Sequence, residues 1–146
     1  MDTFFILISP DKEQGVDALY GIYTELPMLH SKVLEIMETK QDNIEKLMIA
    51  QLVEGNIYPI LSMKDFDKVM KCLEEDVDEN ALKKVIESKN IDFIVAFLKE
   101  IISPEEDPRM EQRKKYSNVL KVFKELLPKE LSLYKDVCDA GIHMYK

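Results

Sequence analysis

The sequence predicts an all-α protein: a single compact bundle of seven or eight helices over residues 1–146, with an extended N-terminal arm. Three observations predict it. Apolar residues recur at spacings of three and four along most of the chain, and strand-like alternation is rare. Glycine is scarce at 4 residues and proline modest at 6, so little interrupts helical segments. Apolar residues make up 46% of 146 positions, a size and composition that suit one domain with its own core.

The elements follow in order. Residues 4–8 form an apolar run, read as an extended arm or a helical turn, because a lone strand has no ladder partner. The first helix is expected over residues 11–26, with Val16, Leu19, Tyr20, Tyr23 and Leu26 as its stripe. Gly15 and Gly21 weaken it by about 1 kcal/mol each, and Pro27 ends it. The second, residues 28–39, carries Leu29, Val33, Ile36 and Met37 on one face. The third opens with a capping box, Asp42 and Glu45, and runs through Ile44, Leu47, Met48 and Leu52 to a Gly55-Asn56 C-cap. Residues 57–61 contain Pro59 and read as a buried connector.

Ser62 caps the fourth helix with Asp65 three residues on, and Leu61 and Phe66 hold the hydrophobic-staple positions. Val69, Met70 and Leu73 continue its stripe. Asp78 repeats the device for a fifth helix over residues 79–88, flanked by Val77 and Leu82. Asn90 caps the sixth, residues 91–102, whose centre Phe93-Ile94-Val95-Ala96-Phe97-Leu98 is apolar nearly all round, as in a buried helix. Ser103-Pro104 opens one turn, and Asp107-Pro108 opens a long seventh helix with Tyr116, Val119, Leu120, Phe123, Leu126 and Leu127 inward. Pro128 breaks it, and residues 129–143 form the last helix, with Leu131, Tyr134, Val137 and Cys138.

The formal charge of −8 and a pI near 4.9 disfavour a dedicated nucleic-acid binder and an anionic lipid surface. No run approaches the roughly 20 apolar residues that span a bilayer, and the N-terminus lacks a basic segment, so neither membrane insertion nor a signal peptide is expected. Cys72 and Cys138 stand in no recognisable motif and read as reduced thiols of a cytoplasmic protein.

Chemistry is sparsely supplied. Asp76, Asp78, Asn80 and Glu87 fall at positions 1, 3, 5 and 12 of a stretch that resembles an EF-hand calcium loop. Ala81 stands where that loop needs glycine, and Lys83 where an apolar residue is usual, so the stretch reads as an acidic loop followed by an N-cap. His30 and His143 have no Cys or His beside them and read as structural or solvated. Nucleophile-elbow, zinc-protease, Cys-x-x-Cys, phosphate-loop and dinucleotide motifs are missing. No metal or cofactor is expected.

Charge segregation is the more informative feature. Glu74, Glu75, Asp76, Asp78 and Glu79 form one acidic knot and Glu105, Glu106 and Asp107 another, followed by a basic helix carrying Arg109, Arg113, Lys114, Lys115, Lys121 and Lys124. The arginines are spaced i, i+4, so a guanidinium pair on one face can hold carboxylates. The leading expectation is a non-enzymatic interaction module—an adaptor, regulator or complex subunit—that docks an acidic protein through Arg109, Arg113, Lys114, Lys121 and Lys124. A homo-oligomer is compatible with the sequence. One alternative is an enzyme or small-ligand bundle with an inter-helix pocket near Tyr20, Tyr23 or Tyr134; another is a nucleic-acid-associated subunit using the same basic helix. Met37, Met48 and Met70 read as core filler, and Met28, Met63, Met110 and Met144 as an adaptable contact surface.

Overall fold

The apolar run at the N-terminus is a strand, β1 (Phe4–Ser9), in the computed structural model, which describes residues 4–9, 18–39, 46–104 and 106–146. It belongs to a four-stranded antiparallel sheet with β2 (Ala18–Tyr23), β3 (Met48–Val53) and β4 (Asn56–Ser62), in the order β2-β1-β3-β4. Six α-helices accompany it among the described residues: α1 (Leu26–Thr39), α2 (Met63–Lys71), α3 (Glu79–Glu87), α4 (Ile91–Ile102), α5 (Met110–Leu126) and α6 (Leu133–Met144). The protein is therefore mixed α/β, and the all-α bundle of seven or eight helices is corrected.

Each corrected element has a physical reason. β1 is central and its residues Phe5 to Ser9 are all buried, so it shows no alternation of apolar and polar side chains. The missing ladder partners are β2 and β3, which flank it. Of the expected first helix, residues 18–23 are β2, whose sequence Ala-Leu-Tyr-Gly-Ile-Tyr favours a pleated strand over a helix, and Leu26 opens α1 instead. Pro27 does not end a helix but sits in the first turn of α1, where its missing N–H costs nothing. The Asp42–Glu45 capping box lies outside the described residues. The rest of the expected third helix is β3, and Leu47, Met48 and Leu52 matched helical spacing by coincidence. Glu54 (φ 50°) and Gly55 (φ 81°) join β3 to β4 as a two-residue hairpin turn with both φ angles positive, where a helix C-cap was expected. The expected connector at residues 57–61 is β4, whose Pro59 is tolerated because β4 is an edge strand.

Contacts divide the chain into two compact units, residues 1–67 and 68–146, with the division inside α2. In the first, α1 packs on β1 and β2 and buries Leu26, Leu29, Val33 and Ile36. Ile6, Ile8 and Ala50 form a separate apolar cluster on one sheet face, with Met48 and Leu52 packed against it. The Ser62 cap is present, with its Oγ accepting from Asp65 N–H at 3.1 Å, and the staple residues Leu61 and Phe66 are buried.

In the second unit the caps expected from sequence are in place. Asp78 Oδ1 accepts from Ala81 N–H at 3.2 Å, and Asn90 Oδ1 from Phe93 N–H at 3.0 Å. Phe93, Ile94, Phe97 and Leu98 of α4 are buried as expected, and Phe97 lies 5.7 Å centroid to centroid from Phe123 of α5. Among the described residues Ser103, Pro104 and Glu106 of the expected one-turn helix are not helical, and the last segment is a 3-10 turn (Lys129–Leu131) ahead of α6. Gly141 of α6 permits a close approach to α5, since a Cβ there would lie 2.6 Å from Leu120 Cδ1.

Candidate interaction surface on α5

Burial of Val119, Leu120 and Phe123 fixes which side of α5 faces inward and so directs its cations. The structure divides the cations named from sequence instead of presenting them as one face. Arg113 is exposed, but its Nη2 donates to Met144 O at 3.0 Å and its guanidinium lies 5.7 Å from the Tyr145 ring centroid. Lys124 Nζ lies 2.5 Å from Asp139 Oδ1, and this bond raises the Lys124 pKa. Lys115 donates to Glu74 O. Arg113 and Lys124 thus tie α5 to the α6 region, and Lys115 ties it to the turn after α2.

Arg109, Lys114 and Lys121 differ. All three are exposed, and none has an ion pair or hydrogen bond from its side chain among the described residues. Lys114 and Lys121 are seven residues apart, two helical turns, and therefore share one face of α5. Arg109 stands at the N-cap position with no side-chain cap bond. In the acidic knots, Glu105 lies outside the described residues, while Glu106 and Asp107 are exposed.

Around this surface the unit is tightly knit. Gln112 Nε2 donates to Leu73 O at 2.5 Å, Tyr145 OH donates to Ile101 O, and the Tyr116 and Tyr145 rings lie 5.7 Å apart. Burial pushes both tyrosine pKa values up. Cys72 Sγ donates to Lys68 O and accepts from Asp78 N–H, each at 3.3 Å, and burial raises its pKa. Cys138 is pushed up to about 12, first by burial and then by Asp139 beside it. Both cysteines are free and buried.

One polar pair escaped the sequence reading. His30 Nε2 lies 2.9 Å from Asp67 Oδ1, with side-chain exposures of 12% and 5%, and the imidazole meets the Phe66 ring edge-on at 5.9 Å. The residues are 37 apart in sequence, so no local spacing signals the pair. Met63, expected at a contact surface, is fully buried, whereas Met28, Met110 and Met144 are exposed.

Among the described residues no helix is long and apolar enough to cross a membrane. No family model, curated protein or solved structure matches the chain.

Proposed function

We propose that this chain is a protein-interaction module, without catalysis of its own, that docks an acidic partner through Arg109, Lys114 and Lys121. One observation carries the reading: these cations are exposed and, among the described residues, uncommitted on a chain of charge −8, while their neighbours Arg113 and Lys124 are held within the unit. Maintaining unpaired cations on an acidic protein steers an oppositely charged surface toward that patch. The non-catalytic part of the reading rests on the sequence, which holds no recognised nucleophile–base or metal-ligand spacing. A cytoplasmic setting accords with two free thiols.

The test uses a fluorescent oligoglutamate peptide as the probe. The Arg109→Glu/Lys114→Glu/Lys121→Glu variant is expected to keep its circular dichroism and lose peptide affinity by about tenfold or more, at least ~1.4 kcal/mol. Unchanged affinity in that variant removes α5 as the docking surface. A DNA duplex of similar length bound in preference to the peptide replaces the reading with the nucleic-acid one.

A further inference from the structure

The two edges of the sheet are built differently. β4 is guarded by Pro59, which cannot donate to a neighbouring strand. β2 has no such guard. Its sequence Ala-Leu-Tyr-Gly-Ile-Tyr holds no charge and no proline, and no strand pairs with its outer side among the described residues. An uncharged, proline-free edge of this kind is a template for an added strand.

A bulge gives this edge a particular pattern. β1 pairs Ile6 with Ile22 and Ile8 with Leu19, with a register shift between Leu7 and Ile8 that leaves Tyr20 as the extra residue. Leu19 and Ile22, three apart, would fall on opposite faces of a regular strand. Here both lie on the face of Ile6 and Ile8, and they are 55% and 51% exposed. The opposite face is closed by Tyr23, whose ring folds over Gly21 so tightly that a Cβ there would lie 2.6 Å from it.

We infer that β2 pairs antiparallel with β2 of a second copy of this chain, about a twofold axis between Tyr20 and Gly21, so that two sheets continue into one. In that register Leu19 of each copy stands opposite Ile22 of the other, on one continuous face. The bulge sets this register, because only with Leu19 and Ile22 on one face do these unequal positions match across a twofold. The lack of charge in β2 matters for the choice of occupant: two copies of a protein with charge −8 meet here without like charges facing across the ladder. A single strand pair is small beside obligate interfaces, so the dimer forms and dissociates with concentration. β2 pairing and α5 docking use different residues, and either can fail alone.

The test is sedimentation of the full chain from micromolar to millimolar concentration, with cross-linking to read the register. The wild-type mass is expected to rise toward that of two chains, and the Leu19→Lys/Ile22→Lys variant to stay at one. If that variant does not fold, oxidation of cysteine variants decides. A mixture of Leu19→Cys and Ile22→Cys chains is expected to form a mixed disulfide, since the paired Cα atoms lie about 5 Å apart. Neither variant alone is expected to cross-link, because its thiols stand about 10 Å apart or more. The buried Cys72 and Cys138 do not compete. A wild-type chain that stays monomeric throughout overturns the inference. So does a dimer indifferent to the two lysines, or Leu19→Cys chains that cross-link with themselves. An extended apolar peptide that binds β2 while the chain remains monomeric transfers the edge to a different partner and equally overturns it.

Discussion

At the residue scale, packing decides what each polar group can do. Arg109 and Arg113 look equivalent in sequence, yet Arg113 is spent on Met144 O and the Tyr145 ring, while Arg109 has no side-chain partner among the described residues. Cys138 shows the same control over a thiol. Its pKa is pushed up from an ordinary 9.0 to about 12 by burial, with Asp139 adding to the shift. Iodoacetamide at pH 8 is therefore expected to leave native Cys138 unlabelled and to modify it once the chain is unfolded. The linkage has a definite sign: the unfolded thiol ionises from about pH 9, whereas the native one holds its proton, so folding binds the extra proton. The thiol's contribution is complete below pH 9 and declines between pH 9 and about 12, with a slope of up to about 1.4 kcal/mol per pH unit. Urea denaturation at pH 8 and pH 10.5 measures it, and Cys138→Ala should reduce the difference. An identical pH dependence in that variant would show that half-buried Tyr116, buried Tyr145 or Lys124 carries the effect instead.

At the element scale, the helix starts were legible because capping is local. Ser62, Asp78 and Asn90 each cap the helix assigned to them, since side-chain oxygen and acceptor N–H are only three residues apart. β1 was not legible as a strand, because a central strand buried on both faces has no period of two to detect. α6 shows that a poor helix former can be required by its neighbour. Gly141→Ala gains about 1 kcal/mol of helix propensity but forces Leu120, which is fully buried, to move. Overpacking typically costs about 1–3 kcal/mol, so a net loss of about 1 kcal/mol is expected. Chemical denaturation measures it, and a stabilised variant would show that α5 and α6 separate easily.

At the scale of the whole molecule, net charge sets the response to salt. The α5 reading joins opposite charges, whereas β2 pairing brings together two copies that each carry −8. Ionic screening shortens the reach of both fields, to about 10 Å at 0.1 M. Raising sodium chloride is therefore expected to weaken oligoglutamate binding and to strengthen, or at least preserve, dimerisation. Titrations at low and high salt check both signs. Peptide binding that ignores salt would mean that apolar contacts near Met110 dominate it.

The sequence by itself determined what depends on neighbours a few residues away. It located α1 to α6 apart from their exact ends, the caps, the apolar α4 and the density of cations on α5. Only the tertiary structure decided what depends on distant partners. β1 becomes a strand because β2 and β3 lie beside it, His30 meets Asp67 37 residues away, and α6 and the segment around it take Arg113 and Lys124 while Arg109, Lys114 and Lys121 have no side-chain partner among the described residues. The physical reason is range: a cap is completed within one turn of chain, whereas a ladder, a long-range side-chain hydrogen bond or an exposed cation exists only relative to segments that folding brings close.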